Sequence, residues 1–129
     1  LRLPRERAIH KASYPVIVKN GQIFPIFDAA GKPTPMVKHV AAADGSFTAF
    51  AIEGQGLSPH LHIQSLRQMC RQINASDRYL TLYVYPDSYG IMREMKKLIH
   101  EMKLEYGFEL CTEHRVLIFD PKGTKPAAL

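Results

Sequence analysis

Hydrophobic period changes repeatedly between residues 58 and 112, and that change restricts the chain to folds in which helices and strands pack on one another. In "SPHLHIQSLRQMCRQI", Ile63, Leu66, Met69, Cys70 and Ile73 recur at helical spacing. In "YLTLYVY", Leu80, Leu82 and Val84 face one way and Tyr79, Thr81, Tyr83 and Tyr85 the other, which is the pattern of a strand. The period then returns to helical: Ile91, Met92, Met95, Leu98, Ile99 and Met102 form one stripe. Arg93, Glu94, Lys96, Lys97, Glu101 and Lys103 lie largely on its polar side. Ser58 is a natural N-cap with Pro59 at the first helical position, so the first helix is expected to open there. The second is expected over 88–103, as the longest helix of the chain, with Gly107 as its stop. "FELCTEHRVLIF" then reads as a closing hairpin whose last residues, 116–119, form a buried strand.

The first half is punctuated by turns. Asn20 and Gly21 separate two β-rich runs in "YPVIVKNGQIFPIFD", the strongest short hairpin signal, because a type I′ turn needs positive φ at both central residues. Pro15 and Pro25 cannot donate to a ladder, which points this hairpin to a sheet edge or an irregular register. A loop over 29–35 follows. A second hairpin, "MVKHVAAADGSFTAFAIE", turns at Asp44 and Gly45, with Val37, Val40, Phe50 and Ile52 supplying apolar surface. The expected class is α+β, in the order β-β-β-β-α-β-α-β-β. It is a mixed β-sheet with two helices packed on it and antiparallel hairpins at its margins. Strands 47–53 and 79–85 are expected to run parallel in that sheet, joined by a right-handed crossover.

A chain of 129 residues supports one domain with its own core. Its boundaries are read as a basic arm over 1–12, a globular domain over 13–119 and a tail over 120–129. The formal charge of +5 is concentrated in the ends. Arg2, Arg5, Arg7 and Lys11 face only Glu6 in the arm, while residues 13–119 carry eleven Lys/Arg against ten Asp/Glu. A nearly neutral body argues against nucleic acid as the main partner and leaves the arm as the place for any such contact. No apolar run reaches the roughly 18–20 residues of a membrane helix. The N-terminus has no apolar h-region and no initiator Met, so the chain reads as trimmed or excised from a longer one. Cys70 and Cys111 lack metal or redox spacing and are read as reduced core thiols, which favours the cytoplasm.

Motifs that would carry chemistry are sparse. His60 and His62 could share a metal on a strand, but on a helix they point about 200° apart and cannot converge. His60, Gln64, Arg67 and Arg71 lie along one stripe that reads as a solvated face. There is no nucleophile elbow, phosphate loop or helical zinc signature. "GQGLSP" offers the first two glycines of a dinucleotide fingerprint with Pro59 where the third should stand. Two features converge if strands 47–53 and 79–85 are parallel neighbours. The helix N-termini at Ser58 and at Asp87 and Ser88 would then open at one sheet edge, where unpaired N–H groups attract ligands. The candidate ligand-binding residues are therefore Gly54, Gly56, Ser58, His60, Asp87 and Ser88. The first role of Asp87 and Ser88 in this reading is to cap a helix, and the second is to hold a metal ion or a ligand hydroxyl.

These features assign no catalytic residue, metal ligand or cofactor. The leading expectation is a small non-catalytic binding or assembly module of a larger protein, its partner another protein or a second copy in a homo-oligomer. The second is a nucleotide- or metal-dependent enzyme or binding protein using the crevice. The third is a weak nucleic-acid contact through the basic arm.

Overall fold

The structure, a computed structural model, describes residues 12–120. The expectations for the arm and the tail lie outside the described residues, apart from Ala12 and Asp120. The elements run in the expected order: β1 (Ala12–Lys19), β2 (Gln22–Pro25), β3 (Val37–Ala41), β4 (Phe47–Ala51), α1 (Ile63–Ala75), β5 (Arg78–Val84), α2 (Met92–Glu101), β6 (Tyr106–Leu110) and β7 (Leu117–Phe119). A 3-10 turn over Pro86–Ile91 precedes α2.

The strands divide between two sheets. One is four-stranded and mixed, in the order β2-β1-β5-β6, and the other is three-stranded, in the order β3-β4-β7. In the first, β1 pairs antiparallel with β2 and parallel with β5, and β5 pairs parallel with β6. The second is antiparallel throughout. Alternation along the central strands explains the layering. Tyr14, Val16, Val18, Leu80, Leu82 and Val84 bury one face of the mixed sheet under α1 and α2. Ile17 and Tyr83 bury the other face against Val37, Ala49, Leu117 and Phe119 of the second sheet. The mixed sheet is thus the middle of three layers, with a core on each side.

The β1–β2 hairpin turns where expected, Asn20 at φ 55° and Gly21 at φ 69°. β2 takes the sheet edge and β1 the interior. Pro15 is tolerated inside because its missing donor faces the end of β2. Ile26 donates to the Pro15 carbonyl, and its own carbonyl accepts instead from Thr34 N–H at 3.2 Å and from the His39 ring at 3.1 Å. Met95 and Ile99 are buried and Lys96 and Lys97 exposed, as the stripe on α2 implied.

Four expectations are corrected. Strand 47–53 does not run parallel to 79–85: β4 lies in the other sheet, and β5 has β1 and β6 as parallel neighbours. The alanines of β3 and β4 make a shallow apolar face, which suits a covering sheet better than a central strand buried on both sides. The closing hairpin is replaced by a crossing, because Leu117 and Phe119 bury on the far face of the mixed sheet and pair with β4. α2 is shorter than α1, 10 residues against 13, since residues 86–91 wind as a 3-10 turn. The first helix begins at Ile63, five residues after Ser58, because residue 57 is still bonded to β2 and residues 58–62 close a separate turn.

Candidate functional site

The six residues singled out from sequence fall into two groups that meet the same hairpin from different elements. Leu57 exchanges both backbone hydrogen bonds with Ile23 of β2, each at 2.8 Å, so the segment around it lies along the outer side of that strand. Gly56 is there for close approach: a Cβ on it would stand 2.7 Å from the Phe24 ring and 2.8 Å from Gln22 Cβ. Gly54, at φ 85°, is there for the turn. Ser58 caps a single turn, its hydroxyl accepting from the N–H groups of His60 (3.3 Å) and Leu61 (3.4 Å). The His62 ring closes that turn by accepting the Ser58 N–H at 2.9 Å, which takes His62 away from His60. His60 is exposed.

Asp87 and Ser88 sit in the 3-10 turn, above the end of β5. The Ser88 hydroxyl accepts the Gly21 N–H at 2.9 Å and donates to Asp87 Oδ1 at 2.9 Å, and the same oxygen accepts the Asn20 N–H at 3.1 Å. Neither side chain caps the turn or α2, which corrects the first role expected of them. Their oxygens instead satisfy the backbone of the β1–β2 turn, and Ser88 is 1% exposed. Gly56 packs on β2 and Ser88 bonds the turn of the same hairpin, so both groups serve the protein's own backbone. Among the described residues, no group of three or more His, Cys, Asp or Glu is placed to hold a metal ion.

Other chemical groups are equally occupied. Cys70 and Cys111 are buried and unbonded, on opposite faces of the mixed sheet. Burial pushes the Cys70 thiol up to about 11. Burial also raises the Cys111 thiol, against the pull of the Arg115 guanidinium, which reaches its sulfur at 3.8 Å. A raised thiol is the opposite of an activated nucleophile. A cleft of about 490 Å³ lies between the Gln64, Gln68 and Gln72 side of α1 and the loop that follows β2, with Tyr14 in its floor. Burial first, and then the Asp28 charge, push the Tyr14 hydroxyl up to about 12, so it keeps its proton at neutral pH.

Among the described residues, β6 is an open edge of the mixed sheet. β6 ends the mixed sheet, and its hydrogen bonds to β5 use alternate residues: Leu80 N–H donates to the Glu105 carbonyl at 2.9 Å, and Cys111 N–H to the Val84 carbonyl at 2.8 Å. By that alternation Tyr106, Phe108 and Leu110 turn their own N–H and C=O groups outward. Their side chains share the helix face, where His100 meets Tyr106 edge-on, Tyr106 stacks on Phe108, and Lys96 Nζ lies 5.1 Å above the Phe108 ring. Phe108 is 45% exposed and Leu110 60% exposed, high for apolar residues on an open edge.

No family model, curated protein or solved structure matches the chain. The edge has no clear mark in the sequence because "FEL" reads as part of a closing hairpin that does not form and Gly107 as the end of the preceding helix, and a hairpin partner would have covered it. A helical wheel of α2 held the missing signal. Arg93, Lys96, Lys97 and His100 form its outer arc, and Glu94 and Glu101 border that arc next to Lys97.

Proposed function

We propose that this chain is a non-catalytic binding module that takes an extended segment of a partner protein as an added strand beside β6. The observation that supports it is the β6 edge itself, three outward backbone positions with two exposed apolar side chains between them. Strand addition derives affinity from main-chain hydrogen bonds and specificity from alternate side chains, and this edge offers both. The opposite edge is a poorer acceptor, since the segment at Leu57 already bonds to Ile23 of β2. An open apolar edge left unprotected is a liability that proteins ordinarily blunt, so retaining one fits a docking role.

The test is an amide-resolved NMR titration with an eight-residue peptide alternating Thr and Val. The peptide is expected to shift the amides of Tyr106, Phe108 and Leu110, while the same peptide N-methylated at alternate residues has no effect. Equal effects of both peptides, or unmoved β6 amides at millimolar peptide, would overturn the proposal.

A further inference from the structure

Charge around the β6 edge is segregated in a way that specifies the partner. Along α2, His100 touches Tyr106 and Lys96 covers Phe108, so the side of the helix that carries them rises beside β6 as a wall. Arg93, Lys96, Lys97 and His100 line a shallow groove of about 680 Å³ along the helix, together with Tyr89 and Met92. The two α2 carboxylates border that groove on the side toward α1, within one turn of Lys97, and Glu101 is paired there with Arg67. Nor does β6 neutralise the wall from below: Glu109 projects to the opposite face of the sheet and pairs with Arg115 at 3.1 Å. On its helix face an incoming strand therefore meets Lys96 beside the exposed Phe108 ring, while Glu101 and Glu109 are already paired with Arg67 and Arg115.

We infer that the strand accepted by β6 is acidic: an extended segment in which Asp or Glu alternates with apolar residues. This rests on the reading of β6 as a docking edge and adds the chemistry of what docks. Its backbone pairs with Tyr106, Phe108 and Leu110, its carboxylates project on the helix face toward Lys96 and His100, and its apolar side chains alternate onto the opposite face of the sheet. Partly desolvated carboxylate–cation contacts of this kind set specificity and orientation more than raw affinity. A second copy of this chain fits less well, because two-fold pairing of β6 edges would bring the cationic walls of both copies together.

Three eight-residue peptides separate the possibilities: Glu alternating with Val, Lys alternating with Val, and the neutral Thr-Val peptide, each titrated while the amides of β6 and α2 are followed. The acidic peptide is expected to bind about tenfold more tightly than the neutral one at low salt, and the advantage should vanish near about 0.5 M salt, where screening is strong. The double variant Arg93→Glu, Lys96→Glu should invert the preference toward the Lys peptide without changing the sheet amide spectrum. If the neutral peptide binds and the acidic one binds no better, the inference falls and the docking edge stands. If no peptide moves β6, both fall. Two further results would overturn the inference: a ten-nucleotide oligothymidylate that outcompetes the acidic peptide, and a free chain that sediments as a dimer with its β6 amides shielded.

Discussion

His39 sits between the rings of Phe27 and Phe47, at centroid distances of 5.5 and 5.0 Å, and its Nε2–H donates to the Ile26 carbonyl at 3.1 Å. Burial holds its pKa below the usual 6.5, and the carbonyl bond only partly offsets that. The folded state therefore binds fewer protons than the unfolded one in the window just below pH 6.5, so stability rises with pH through that window and falls on acidification. Thermal melts at closely spaced pH values from 7.5 down to 5 should show wild type losing stability more steeply than His39→Gln. Parallel slopes for the two would mean that His39 is not a titrating group in folding. Nothing in the sequence marked this residue, because its environment is assembled from the segment after β2, from β3 and from β4, and burial of that kind has no local signature.

At the scale of elements, the contacts that matter most join the β1–β2 hairpin to the 3-10 turn. Ser88 and Asp87 were legible as special residues, since a Pro-Asp-Ser run between a strand and a helix is a natural cap. Their role was not legible, because the groups they satisfy lie in a turn 67 positions away in sequence. Ser88→Ala would leave the Gly21 N–H without its acceptor in a nearly closed site, at a cost of about 1–3 kcal/mol. Asp87→Asn keeps an oxygen for the Asn20 N–H and should cost less. Urea denaturation of the two variants checks this, and an unchanged midpoint for Ser88→Ala would contradict the clamp. The hairpin turns and the stripe of α2 were legible because both are set by local sequence. The partition of strands between sheets was not: weak alternation in β3 and β4 does not say which apolar face they cover.

For the whole molecule, two cores share one central sheet, and three of its four strands are bonded on both sides or covered at the edge: β1, β5 and β2. Among the described residues β6 is the exception, and the proposed function depends on that asymmetry. Amide hydrogen exchange of the free protein, followed residue by residue, tests it most directly. The odd-numbered amides that face β5, at Gly107, Glu109 and Cys111, are expected to be protected, while Tyr106, Phe108 and Leu110 exchange at close to the unprotected rate. Protection at all six positions in a monomeric sample would show that another part of the chain already covers the edge, and would contradict its role as a docking strand.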